Sequence, residues 1–440
     1  MNIPQRIQKG FNYEEAVLMA KFCQRVYYIF QQDDGSIDDE EIKDIYNAMY
    51  RNEDWKIVYT FRNDDKNIRG FIVKRSGENQ YAIVLRGSVL TNLGSLELTD
   101  FIHDLNAKLI GFEGASDKRT KIIEGNWIAF NSIKNELLMF FKILAIKKIE
   151  DKDLKKFEGK TYDEKYALGS ALASAAGILF GADLEQKIRE VLSQALEHGN
   201  FDDLELKLQQ VIKSNSIELT DDIHKTPMDI YITGHSLGGA MSVLCAPILK
   251  RYLNKIENFD FKLKVYTVGA PKGGNKHFIN FYDNYIGKDF HYRIENVLDP
   301  VVHLPLPPPF PLNIFAANGF RIGDIYFSEC GGVGRPHTLF GLGNANASLD
   351  FGGALQIPGG IPFPHSFDGY VEMLEEDKQR SEDLWRPIEG FLGSFLKDML
   401  FDLETEIGDY IKEQIQPLRK AIEDLQLEVK ELKNSNREKN

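Results

Sequence analysis

Cysteine is scarce in this chain. The three present among 440 residues, Cys23, Cys245 and Cys330, are too few and too scattered for a disulfide framework or a zinc site. No metal or cofactor is therefore expected. Positive charge is also in deficit: 53 Lys and Arg stand against 66 Asp and Glu, a formal net charge of −13, which argues against nucleic acid as a general partner. The N-terminal run Met1–Lys9 lacks the apolar core of a secretory signal, so a cytoplasmic, reducing location is the expectation. No stretch reads plainly as a membrane span. What the chain does have is 43% hydrophobic residues with 27% charged, enough for one large α/β domain with appendages or for two domains.

The most informative stretch is Met228–Ala240. An apolar, β-branched run (Ile230, Tyr231, Ile232, Thr233) reads as a buried strand and stops at Gly234. A helix pattern with small residues (Gly238, Gly239, Ala240, Ser242) opens directly after Ser236. Strand, sharp Gly-x-Ser-x-Gly turn and helix form the context of a nucleophile elbow. The serine backbone is strained there, and the flanking glycines let strand and helix approach closely. The helix start faces the serine, so the N–H of Leu237 can stabilise an oxyanion. The competing reading is a tight turn with a capping serine.

Ahead of the elbow, helix periodicity runs from Tyr13 to Phe30 and again from Asp38 to Met49. Short β-rich runs follow at Trp55–Phe61, Ile68–Arg75 and Tyr81–Arg86, with Ser76–Asn79 as a hairpin loop. Beyond them come Arg86-Gly87-Ser88, then Asp104-Leu105, and an amphipathic helix from Trp127 to about Ile146. After the elbow, Phe261–Val268 and Phe290–Val297 continue the strand–helix alternation of a doubly wound sheet. Asp299 lies just past the second of these, where α/β sheets gather functional groups. The stiff apolar segment Leu304–Pro311 lies beside that aspartate and reads as an SH3-type ligand or, better, as a rigid wall of a binding groove. Phe320–Gly323 and Ile325–Ser328 form a hairpin-like pair, and Gly331–Pro364 reads as a long loop.

These motifs, in this order, resemble the class 3 lipase family, the α/β-hydrolase group typified by fungal triacylglycerol lipases. Arg86-Gly87-Ser88 with Asp104-Leu105 resembles its oxyanion loop and the segment after its lid, and Gly234–Gly239 its elbow. Val268–Asn275 with Phe278 resembles the segment after the next strand, and Asn296–Pro305 the catalytic-aspartate loop. The likeness covers roughly Tyr13 to Leu374. It implies a mostly parallel α/β-hydrolase sheet at 1–374; a helical insertion at about 147–225 departs from the family pattern, and a helical C-terminal extension at 375–440 lies beyond it. It further implies a serine hydrolase of lipid carboxylic esters, whether triacylglycerol, partial glyceride or phospholipid. A soluble small-ester carboxylesterase and a non-enzymatic lipase-like scaffold or signalling protein stand as rivals.

Chain order in α/β-hydrolases is serine, acid, histidine. Of the histidines after Asp299, His303 is too close along the chain. His365 leads into Phe367, Tyr370, Val371 and Leu374 at helical spacing, as the family's histidine leads into a helix carrying a Tyr and a Leu. His337 has no such frame. The expected triad is therefore Ser236, Asp299 and His365, with the N–H groups of Ser88 and Leu237 as the oxyanion hole. Leu90, Leu93 and Leu96 lie where the family carries its lid. Within the insertion, the uncharged run Tyr166–Ala182 reads as a small-residue helix packed in protein, or else as a membrane-contacting or lid-like helix. Two amphipathic helices are expected after it, Leu184–Ala195 and Leu204–Ile212. Transient contact with a membrane or lipid-droplet surface is an expectation of the lipid-ester reading. In the tail, Pro387–Leu400 reads as an amphipathic helix. Leu418, Ile422, Leu425, Val429 and Leu432 follow coiled-coil spacing for about two heptads, which would suit a homodimer or a helix packed on its own domain.

Overall fold

The computed structural model describes residues 6–30, 39–87, 108–145, 157, 160–198, 203–214, 227–305, 320–322, 325–327, 330–339, 356–357, 361–362 and 365–382. The chain divides into two compact units, Met1–Asp377 and Lys378–Asn440, and the elements that build the site belong to the first. Helices α1 (Tyr13–Phe30) and α2 (Asp39–Met49) precede strands β1 (Trp55–Asn63), β2 (Ile68–Arg75) and β3 (Gln80–Leu85). A short hairpin, β4 (Leu109–Gly111) with β5 (Lys121–Ile123), leads into α3 (Glu124–Ala145). Next come α4 (Tyr162–Phe180), α5 (Ala182–Glu197) and α6 (Leu204–Ser214). The alternating part is β6 (Met228–His235), α7 (Leu237–Leu253), β7 (Phe261–Val268), α8 (Lys276–Tyr282) and β8 (His291–Asn296). Further on lie the hairpin β9 (Phe320–Ile322) and β10 (Ile325–Phe327), strand β11 (Arg335–Leu339) and helix α9 (Phe367–Glu382).

Seven strands make the central sheet in the order β1-β2-β3-β6-β7-β8-β11. The first three pair antiparallel, and from β3 onward every pairing is parallel. A parallel sheet must be covered on both faces, and alternation along the strands supplies two cores. Tyr81, Ile83 and Leu85 join Ile230, Ile232 and Val265 beneath α3, α4 and α7. Ala82 and Val84 join Tyr231, Tyr266 and Val268 on the side of α1 and α9. A bulge between Ile57 and Tyr59 sends these two residues to opposite faces although they are two apart. This is the α/β-hydrolase arrangement that the motifs imply.

The long loop expected from Gly331 to Pro364 is interrupted. Arg335–Leu339 is an edge strand, parallel to β8. Its sequence hides it, because Arg-Pro-His-Thr-Leu has no apolar alternation and includes a proline, which an edge position tolerates.

The insertion is resolved in its three helices. Thr161 and Glu164 form a capping box at the start of α4, and α4 lies against α3, α5 and β1. Leu168–Ala176 is buried throughout. A Cβ on Gly169 would sit 2.3 Å from the Leu192 side chain, so α5 packs against α4 where no side chain intervenes. Beyond its first turn the helix carries no charge, and a helix apolar all round in this way is a core helix. The membrane-contacting or lid-like reading of this stretch is thus corrected: it belongs to the main core, and Ile178, Leu179 and Phe180 pack half-buried against it. Among the described residues no helix is long and apolar enough to cross a membrane. Leu172→Ala is expected to destabilise the domain by about 2–5 kcal/mol through the lost burial and the cavity left behind. Urea unfolding would show it, and an unchanged midpoint would contradict the core assignment.

Buried polar groups also lie outside the elbow, Glu15 and His291 among them. Glu15, on α1, accepts from Lys264 Nζ at 2.6 Å, Tyr266 Oη at 2.7 Å and Tyr231 Oη at 3.1 Å, tying the helix to β6 and β7. His291, at the start of β8, is fully buried, with Nε2 3.2 Å from Thr267 Oγ1. Burial, with Arg293 nearby, pushes its imidazole from 6.5 down to about 3. Above pH 6.5 neither folded nor unfolded chain protonates it. Between 6.5 and about 3 only the unfolded chain takes the proton, so stability falls with falling pH and levels off below about 3. The expected slope is at most about 1.4 kcal/mol per pH unit. Unfolding free energies of wild type and His291→Gln at pH 4, 5 and 6 should diverge by that slope; parallel lines would refute it.

Candidate active site

Ser236 stands between β6 and α7 with φ 57° and ψ −127°, the strained backbone of a nucleophile elbow. Its hydroxyl makes no capping bond to the helix, so the capping-serine alternative does not hold. Close packing explains the glycines. A Cβ on Gly234 would fall 2.3 Å from the Gly238 backbone, and one on Gly238 would fall 2.0 Å from Leu85 O. The Ser236 N–H is held by Val268 O at 3.0 Å, and the residue is 3% exposed. Leu237 opens α7, whose first turn carries no acidic residue. Its N–H therefore belongs to the helix end where intrahelical acceptors are missing and negative charge is favoured.

The expected acid is placed by the end of β8. Asp299 is fully buried and caps the short 3₁₀ turn Pro300–His303. Its Oδ1 accepts from the Val301 N–H at 2.8 Å. Oδ2 accepts from His365 Nδ1 at 2.6 Å and from Tyr370 Oη at 2.7 Å. Because the carboxylate only accepts, His365 carries its proton on Nδ1 and leaves Nε2 as the basic nitrogen. Room for this cluster comes from Gly269, at φ 54°, where a Cβ would lie 3.1 Å from Asp299 Oδ2 and 2.9 Å from the Tyr370 ring.

The structure thus brings Asp299 and His365 into direct contact, and it joins Ser236 to them through the preceding residue. His235 Nε2 is 2.9 Å from His365 O, and the two imidazole rings lie 4.5 Å apart. Neither rejected histidine reaches the acid. His303 Nε2 lies 3.2 Å from Val297 O. His337 stacks on Phe11 at 4.0 Å and pairs with Asp377 at 2.9 Å. Ser88 lies outside the described residues, as do the lid stretch 89–99, Asp104, the proline-rich residues 306–311 and the tail segments 387–400 and 418–432.

The neighbouring Arg86 is buried. It ties the end of β3 to Phe30 O at 3.3 Å and to Asn67 Oδ1 at 2.7 Å, fixing the strand end from which Gly87 and residue 88 depart. Sequence reasoning assigned no task to Tyr370. It donates to Asp299 while accepting from the Asn296 N–H at 3.0 Å, and burial holds its phenol well above the ordinary value, in the neutral form that can donate. Its position on the buried face of α9, five residues after His365, was the available signal. Among the described residues no cluster of His, Cys, Asp and Glu could hold a metal ion.

A family model described as Lipase (class 3) matches residues 89–308, half of the chain. Over 77 residues the chain is 42% identical to Lipase ZK262.3 of Caenorhabditis elegans, a stretch covering 18% of this chain and 20% of the relative. Over 74 residues it is 40% identical to Secreted mono- and diacylglycerol lipase 1 of Fusarium solani, covering 17% and 20%. A 33% identical stretch of 99 residues matches Toxin TseL of Vibrio cholerae, covering 22% and 14%. The chain thus spans a fifth or less of the length of these relatives. Among solved structures, the Rhizomucor miehei lipase propeptide complex is matched at TM-score 0.37 and 19% identity, over 68% of this chain and 66% of that one. A lipase from Rhizopus microsporus var. chinensis is matched at TM-score 0.36 and 16% identity, over 75% and 85%.

Proposed function

We infer that this chain, which belongs to the class 3 lipase family, hydrolyses carboxylic esters of lipids through an acyl-enzyme formed on Ser236. The observation that carries this reading is the buried Asp299–His365 pair, joined through His235 to a serine held at a strained elbow. Serine is a weak nucleophile at neutral pH until a base stands in reach. His365 Nε2 takes the Ser236 proton as Oγ attacks the ester carbonyl. The N–H groups of Leu237 and Ser88 receive the oxyanion. His365 then gives the proton to the departing alcohol oxygen. Water, deprotonated in turn by His365, releases the acid and restores the serine. Asp299 orients the imidazole and stabilises its cation throughout, and Tyr370 and the Val301 N–H hold Asp299.

Acylglycerols are the substrates of first choice, since the matched Fusarium protein is described as a mono- and diacylglycerol lipase. The test is covalent labelling by a fluorophosphonate followed by mapping of the modified peptide. Modification of Ser236 is expected. A protein that stays unlabelled while folded, or one labelled elsewhere, would overturn the reading.

A further inference from the structure

We propose that His235 and Tyr27 are positioning residues of the Ser236 centre, locking the base loop and the oxyanion-side strand end onto the elbow. The proposal rests on the esterase reading above. His235 Nε2 meets His365 O at 2.9 Å, and a carbonyl oxygen only accepts, so Nε2 bears the proton. A neutral imidazole then accepts at Nδ1, which makes Tyr27 Oη, 3.0 Å away, the donor there. Donation therefore runs one way, from Tyr27 through His235 to the His365 backbone.

Sterics reinforce the chain of bonds. A Cβ on Gly87 would stand 2.4 Å from Tyr27 Oη and 2.9 Å from the Ser236 Cβ. The Tyr27 ring stacks on Phe367 at 4.6 Å with 13° between planes, just beyond the base. Both residues are buried, and burial holds His235 well below and Tyr27 above their ordinary values, so both stay neutral.

Neither side chain transfers a proton or forms a bond in the mechanism above. What they hold is backbone: the carbonyl of the residue whose ring is the base, and the peptide that leads into position 88. Asp299, itself held by Tyr370, holds His365 from its Nδ1 side, and His235 holds it from its main chain. Loosening such a mount misplaces the base by a fraction of an ångström, which costs rate more than binding.

The experiment compares Tyr27→Phe, His235→Leu and His235→Gln on a short, soluble ester, with fluorophosphonate labelling rates and melting temperatures. Gln places an amide donor where His Nε2 stands, and Leu does not. For Tyr27→Phe and His235→Leu, kcat and labelling rate should both fall about 10–100-fold, with KM within about twofold. His235→Gln should recover to within about fivefold of wild type, while all three melt within a few degrees of it. Wild-type rates in Tyr27→Phe and His235→Leu would overturn the proposal. So would equal losses in His235→Gln and His235→Leu that track a lower melting temperature, which would make His235 ordinary packing. Wild type that resists the label would instead remove the esterase reading itself, and this proposal with it.

Discussion

Ser236→Ala is expected to lower ester hydrolysis by on the order of 10⁴–10⁶, because the triad acts as a unit and losing one member forfeits most of its effect. The fold should not suffer. The hydroxyl caps nothing, alanine keeps the Cβ that the strained φ already accommodates, and the Ser236 N–H bond to Val268 O is a backbone one. Melting temperature should therefore stay within a few degrees of wild type while fluorophosphonate labelling disappears. Residual hydrolysis from the oxyanion donors alone is compatible with this outcome. A variant retaining activity within about tenfold of wild type would remove Ser236 from the mechanism.

His365→Ala should do comparable damage, and the double variant with Ser236→Ala should be little worse than either alone, since each already disables the same step. His337→Ala gives the contrast. That side chain stacks on Phe11 and pairs with Asp377, away from Asp299, so its loss should cost about 1–2 kcal/mol of stability and leave kcat nearly untouched. Steady-state kinetics beside urea unfolding would separate the two. If His337→Ala abolished turnover and His365→Ala spared it, the base would have been assigned to the wrong histidine.

What was legible in the sequence depended on how local each signal was. The elbow is written in a dozen consecutive residues, because a buried strand, a glycine-flanked turn and a small-residue helix start each leave their own mark. His365 was legible through the helix that follows it. Asp299 was legible through its strand and through family likeness, whereas an aspartate before a proline taken alone is as often a loop residue. Strand β11 was not legible. Its five residues carry no alternating apolar pattern, and their pairing with β8 is a tertiary fact. Tyr27 reaches His235 across 208 positions, a spacing that no periodicity encodes, and the helical spacing that marked Tyr370 did not show that it meets Asp299, 71 positions earlier. The insertion shows the opposite limit. Its uncharged, small-residue run favours a protein core without excluding a lipid surface, and the packing of α4 against α3 and β1 places it in the core.

The buried Glu15–Lys264 pair also bears on time. The partners are 249 residues apart; of the other groups on Glu15, Tyr231 comes earlier and Tyr266 just after Lys264. At about 5–20 residues per second, a ribosome needs roughly 12–50 s to deliver Lys264 after Glu15. Throughout that interval α1 lacks β7 and the lysine that pairs with its carboxylate, with only the earlier strands available to cover its apolar side. Slower elongation lengthens the exposure. The yield of soluble protein should thus respond to chaperone supply during synthesis, even where the finished fold is stable.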